Sequence, residues 1–379
     1  MRQEPLLKFI PREVPSAAIA QREVAASSEL VVGFDQLMHH GDALDSLLRC
    51  ADAPATARWG PLVAWMRHHP KMTPWCVLVS RNEEVVAAAL LVRIRRGAVC
   101  RFETMGEMHL PSRLPARDPD SVTDLARALT LRLAGIRTPW TLHLHALEET
   151  DPVAAAIMER LDVASSELEF LSPRLAFTRG EPLTSYLSHN TRSAVAKARN
   201  RIKNAGLVCE LGWTRDQAEI DDTVPEITEL YRKRNVQRRQ SVGLLDDADY
   251  RSYFADMMHA YAADGLVRLL TLRLNGELAS YAMCLESAGL LFVYSNRMSP
   301  DWMHFSPGAI TNAEVVRHAC WDRSVRGVDW GSGIERYKVS GNATIHPYHV
   351  VHAWSSKTMC SVWTAKNRRY GSTPVDTSS

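Results

Sequence analysis

Strand-like apolar runs cover residues 267–274, 278–286 and 290–295. Asn275-Gly276 joins the first two and supplies the positive-φ positions of a tight hairpin turn; Ala288-Gly289 turns the chain into the third. Ahead of them lie a basic helical stretch over 182–205 and a short strand over 208–213. A helix opened by Thr223 and Pro225 follows, with Ile227, Leu230 and Tyr231 on one face. Residues 246–263 form another helix, with Tyr250, Phe254, Met257, Met258 and Tyr261 at helical spacing. After the strands, a loop bearing Ser306-Pro307-Gly308 leads into a helix over 309–323, apolar at 309, 310, 313, 316 and 320. A short strand over 327–330, a helical turn over 335–340 and a last strand over 349–354 complete the series.

The first half repeats this order. Strands at 76–80, 85–93 and 98–105 precede a Pro-rich loop, a helix over 122–133, a strand over 141–144, a helix over 152–161 and a strand over 168–177. The pattern predicts an α/β (α+β) fold of two lobes in tandem, residues 1–178 and 179–379, each a mixed, mostly antiparallel sheet flanked by helices. The 379 residues suit two domains of that size.

Composition narrows the class. A hydrophobic share of 46% with 23% charged residues excludes a disordered or fibrous chain, and a formal charge of +2 gives no global sign of nucleic acid or membrane. The seven cysteines are scattered and never spaced as a metal or redox pair, which predicts buried thiols in a reducing compartment. No apolar segment reaches the length of a bilayer span, and the first residues lack the apolar core of a secretory signal, so the expected location is cytoplasmic. His143 and His145 alternate on one strand face, but no third ligand accompanies them, and no metal is expected.

Two segments carry chemistry. Ser306-Pro307-Gly308-Ala309 has the composition of a helix start that binds a pyrophosphate: unsatisfied N–H groups, a glycine permitting close approach, and a hydroxyl to bond an oxygen. Asp329-Trp-Gly-Ser-Gly-Ile-Glu-Arg-Tyr-Lys338 then gathers a strand carboxylate, two glycines, Glu335, Tyr337 and Lys338. In this order and spacing the two segments resemble the CelD/BcsL-type acetyltransferases of the GNAT superfamily, which are related to the FemAB peptidyltransferases. The likeness extends upstream through the basic helix at 186–206 and into the first lobe. It departs from the common GNAT pattern in lacking a Q/R-x-x-G-x-G/A phosphate loop, and Leu110-Pro-Ser-Arg-Leu-Pro115 takes that place in the first lobe, with no glycine before its helix.

The resemblance implies a single acyl-transfer site in the second lobe. Transfer from a thioester to an amine needs a base, oxyanion donors and an acid for the thiolate. Tyr337 is the implied acid, Asp329 or Glu335 the group that orients or deprotonates a small-molecule amine, and Lys338 a holder of an anionic group or polariser of a carbonyl. Ser306, Gly308 and Ala309 would meet the donor's phosphates, and Ser295 and Asn296 its amides. The implied donor is acetyl-CoA or another acyl thioester, free or on a carrier protein. Two basic runs, 192–203 and 232–239, place Arg192, Arg238 and Arg239 as phosphate contacts. Because FemAB relatives accept aminoacyl-tRNA, that donor stands as an alternative, as does a non-catalytic binding protein of polysaccharide assembly.

Overall fold

The Asn275-Gly276 hairpin forms as its sequence predicts, both residues having positive φ (49° and 83°). The computed structural model describes residues 26–237 and 248–369. Its strands are β1 (Ser27–Val32), β2 (Thr73–Arg81), β3 (Glu84–Ala89), β4 (Leu91–Arg96), β5 (Val99–Thr104), β6 (Trp140–Glu148), β7 (Ala164–Ala176), β8 (Cys209–Thr214), β9 (Val267–Leu274), β10 (Glu277–Ser287), β11 (Leu290–Met298), β12 (Gly327–Asp329) and β13 (Thr344–Trp354). They form one 13-stranded sheet in the order β1-β2-β4-β5-β6-β13-β7-β12-β11-β10-β9-β8, with β3 paired to β2. Each half contributes one parallel pair, β5 with β6 and β11 with β12, while the other ladders are antiparallel. Helices Pro119–Ala134 and Pro307–Trp321 make the two crossovers. This is the mixed, mostly antiparallel α/β architecture expected, with two like-ordered halves.

Three local readings change and one holds. The run at 85–93 divides into β3 and β4, because β2 pairs with β3 through residues 77–81 and with β4 through 73–74. The helix assigned to Thr223 and Pro225 begins earlier, at Gln217, with Pro225 inside it. Buried Ile220, Val224, Ile227 and Leu230 hold it to the core, enough to carry the hydrogen bond that proline cannot donate. The helical turn expected over 335–340 forms as a single turn, Lys338 N–H donating to Glu335 C=O at 2.8 Å and Val339 N–H to the same oxygen at 3.4 Å. Of the cysteines, Cys76 and Cys284 are buried but Cys50 and Cys209 are exposed.

The largest difference concerns β13. It does not extend the second half's sheet but enters between β6 and β7, both from the first half. At this seam His143 of β6 meets His352 of β13, Nδ1 to Nδ1 at 2.7 Å, and His143 Nε2 lies 3.1 Å from Thr141 Oγ1. Burial, then Arg101, His352 and His145, push the His143 imidazole down to about 2. The unfolded chain takes up a proton below about pH 6.5, whereas the folded one does not until far lower. Stability from this group is therefore full above about pH 6.5 and is lost as pH falls toward 2, at about 1.4 kcal/mol per unit. In His143→Gln, the difference in urea-unfolding free energy between pH 7 and pH 5 is expected to shrink by about 2 kcal/mol. An unchanged difference would place the acid sensitivity elsewhere.

One core spans the halves. Leu62, Trp65 and Met66 of helix Trp59–His68 pack with Tyr253, Phe254, Met257 and Tyr261 of helix Ala248–Ala263, over Tyr281 and Met283 of β10. That shared core fixes the walls of the cleft described next. No helix of the described residues is long and apolar enough to cross a membrane.

Candidate active site

β11 and β12 pair for three residues only, 290–292 against 327–329, and then part. Their ends open on a cleft of about 1060 Å³ between the two halves. Gly331, just beyond β12, has φ +69°, a left-handed backbone that favours glycine, and a Cβ there would only touch the Phe292 ring at 3.4 Å. From the second half the cleft receives Ser295, Asn296, Glu335, Tyr337 and Lys338. Five of the predicted residues therefore share this cleft, whereas Asp329, Ser306, Gly308, Ala309 and Arg192 do not line it.

Tyr337 is 40% exposed, edge-on to Trp330 at 5.8 Å, and its hydroxyl accepts from Asn296 Nδ2 at 3.5 Å. Asn296 also donates to Asn312 Oδ1 of helix Pro307–Trp321 at 2.9 Å, tying strand end to helix start. Ser295 bonds the buried Tyr281 hydroxyl at 2.8 Å. Lys338 is buried; its Nζ donates to Ser332 C=O at 2.5 Å and stands 2.9 Å from Glu335 Oε2. Glu335 is thus already engaged by a cation.

Asp329 is placed differently from the sequence expectation. It is fully buried; Arg174 Nε donates to its Oδ2 at 2.6 Å, Gly331 N–H to its Oδ1 at 2.8 Å, and the Ser172 hydroxyl also donates to Oδ1. A carboxylate so enclosed shapes the Gly331 turn and does not reach an amine in the cleft.

At the helix start, Ser306 adopts a left-handed backbone (φ 56°) and makes no side-chain cap. Its hydroxyl instead accepts from Arg201 Nη2 at 2.9 Å. Gly308 faces Met298, its nearest atom 3.4 Å from an added Cβ, and Ala309 N–H bonds Ser306 C=O at 3.1 Å. Arg201, from helix His189–Asn204, is the cation brought to this loop; Arg192 stands exposed on the first turn of that helix. Arg238 and Arg239 lie outside the described residues.

The sequence reading missed the first half's contribution. Glu107, in the loop after β5, lines the cleft and accepts hydrogen bonds from the hydroxyls of Tyr253 and Tyr294, the latter at 3.1 Å to Oε2. Burial raises its carboxyl above the ordinary value, and the two tyrosine hydroxyls only partly offset this. The partners come from a helix and a strand far along the chain, so no local pattern marks Glu107. Its one legible signal is a carboxylate following Gly106 at the end of a strand. Among the described residues no group of three or more His, Cys, Asp or Glu side chains is arranged to hold a metal.

The geometry can be set beside known proteins. Residues 189–339 match the family described as "Acetyltransferase (GNAT) domain". No curated protein matches the sequence. Among solved structures, FemX superposes with a TM-score of 0.53 at 12% identity, covering 83% of this chain and 95% of its own. A conserved protein of unknown function from Bacteroides thetaiotaomicron gives 0.52 at 11% identity, over 83% and 97%. The C-terminal domain of a putative lysylphosphatidylglycerol synthetase from Agrobacterium fabrum gives 0.51 at 10%, over 87% and 96%. At such identities the likeness is one of fold. Residues 189–339 are thus similar to a GNAT acetyltransferase domain, and they sit within a larger fold of the kind seen in FemX.

Proposed function

We propose that the cleft transfers an acyl group from a thioester donor to a primary amine. One observation carries the reading: the parted ends of β11 and β12, with Tyr337 beside them, face a buried carboxylate, Glu107, supplied by the other half. Helix Pro307–Trp321 and Arg201 receive the donor's phosphates, and Ser295 and Asn296 its amides. Glu107 holds the acceptor's ammonium, Tyr337 protonates the leaving thiolate, and Asp329 acts as a positioning residue for the Gly331 turn. Lys338, fixed by Ser332 and Glu335, presents positive charge to an anionic group of the substrate or intermediate.

In this reading residues 1–178 and 179–379 are the two lobes, the second lending β13 to the first's sheet, and the sequence motif favours the CelD/BcsL type, in the cytoplasm. Arg192, Arg199 and Lys203 line the exposed side of the helix that bears Arg201. That array favours a phosphate-rich donor and keeps aminoacyl-tRNA as the second reading; Arg238 and Arg239 would extend it.

Acetyl-CoA titrated calorimetrically is expected to bind saturably. Gly308→Ala should retain binding, because the added methyl meets only Met298, while Gly308→Glu should weaken it at least tenfold by opposing the phosphates. Tight, salt-sensitive binding of charged tRNA with no response to any acyl-CoA would replace the first donor by the second. Thiol release from acetyl-CoA, followed over amino acids, hexosamines, polyamines and arylamines, then identifies the acceptor.

A further inference from the structure

The loop after β5, in the half without a phosphate-loop glycine, is held in an unusual way. Gly106 and His109 both have positive φ (118° and 64°), and for histidine that backbone is sparsely populated. His109 is 65% exposed and lines the same cleft as Glu107. Its Nδ1 stands 3.1 Å from Oε1 of Glu169, a residue of β7 whose side chain is 7% exposed. Glu169 is itself fixed: His145 Nδ1 lies 3.1 Å from the same oxygen, and Ala146 N–H donates to Oε2 at 2.6 Å. Ala146 also has positive φ (52°), and its C=O accepts from Ser112 N–H at 2.9 Å, pinning the far end of the loop. An exposed imidazole is thus anchored at one nitrogen by a buried carboxylate, and Nε2 has no protein partner among the described residues.

We propose that His109, oriented through Nδ1 by Glu169, is the general base of the cleft and acts on the acceptor amine. The inference rests on the acyl-transfer reading above. A carboxylate on Nδ1 selects the tautomer whose Nε2 lone pair faces outward, as a base requires. Glu169 also raises the His109 imidazole above its ordinary value, against the opposing effect of burial, toward the range where a base works near neutral pH. Hydrogen bonds from His109, His145 and the Ala146 N–H outweigh burial to hold the Glu169 carboxyl down at about 2, so it stays ionised.

The step balances as follows. The acceptor enters as an ammonium beside Glu107, and Nε2 takes one proton from it. The freed amine attacks the thioester carbonyl: a C–N bond forms and the carbonyl electrons move to oxygen. Collapse breaks the C–S bond, and the thiolate takes the Tyr337 proton, which the second nitrogen proton replaces. The products are the amide, the thiol and one proton on His109, released to solvent.

Two measurements test this, one needing no turnover. In histidine-labelled protein, the signal lost in His109→Gln is expected to report a Nδ1–H tautomer at pH 8 and to titrate above about 6.5. In Glu169→Gln its midpoint should fall by about one unit or more. A Nε2–H tautomer, or a midpoint indifferent to Glu169→Gln, overturns the dyad. In the thiol-release assay with the best acceptor, kcat/KM should decline on the acid side with that same midpoint. His109→Gln should lose this limb and about 10²–10⁴-fold in kcat, with thermal stability little changed at so exposed a position. Retention of the limb in His109→Gln overturns the base assignment. Absence of thiol release with every acceptor counts against acyl transfer instead, while the tautomer measurement still decides the dyad.

Discussion

Glu107→Gln is expected to cost acyl transfer two to three orders of magnitude in kcat/KM while making the protein harder to unfold. The two effects share one cause. The Glu107 carboxyl is buried beneath two tyrosine hydroxyls, and burial raises it above the ordinary carboxylate range. Near pH 7 its charge is therefore less favourable in the folded protein than in the unfolded chain, a cost that vanishes below the ordinary value near 4.3. Glutamine keeps the shape and an acceptor for the tyrosines but removes that charge. The melting temperature should rise by about 2 °C at pH 7.5, for about 1 kcal/mol, and converge with wild type near pH 4. Loss of the counter-charge to the acceptor's ammonium should cost about 2–5 kcal/mol of transition-state binding. Steady-state kinetics and pH-dependent melts on the same preparations check both. A destabilised but active variant would mark Glu107 as structural.

Arg174→Met should have the largest effect on stability. Arg174 bonds Asp329 through Nε, and through Nη2 it bonds Glu148 at 2.9 Å and the Tyr348 hydroxyl. Asp329 is completely buried, so removing the guanidinium leaves a desolvated carboxylate with only neutral donors. Breaking such a pair from one side costs about 3–5 kcal/mol. Arg174→Met with Asp329→Leu should cost markedly less than the sum of the single changes, because the second removes the stranded charge. Urea unfolding of the cycle measures this, and strict additivity would show that the two residues do not act as a pair. Both single variants should also lose transfer, since Asp329 fixes the Gly331 turn at the cleft.

Local signals were legible and distant ones were not. Asn275-Gly276 declared its hairpin, and the 306–338 motif declared a helix start at Pro307 and a strand end whose following turn lines the cleft. Each of those signals depends on residues within a few positions of each other. Asp329 was visible as a strand carboxylate, but its partner lies 155 residues away on β7, so its enclosure was not. Tyr250 and Tyr261 showed only helical spacing, and nothing in that pattern marks Tyr253 of the same helix, which turns its hydroxyl to Glu107. His109 sat in a loop judged by the glycine it lacked, and its link to Glu169 appears only once β13 brings β7 near β6.

The placement of β13 has a consequence for how the protein is made. Ribosomes release the chain from its N-terminus, and 209 residues separate His143 from its partner His352. At about 5–20 residues per second, β6 and β7 wait roughly 10–40 s with the edges that β13 will occupy still open. Open strand edges pair with whatever strand arrives first, including one from a neighbouring nascent chain. The first half therefore cannot mature as an independent unit during translation. Its completion waits for β13, and a holdase that shields those edges for that interval should raise the yield of native protein more than one acting on the finished chain.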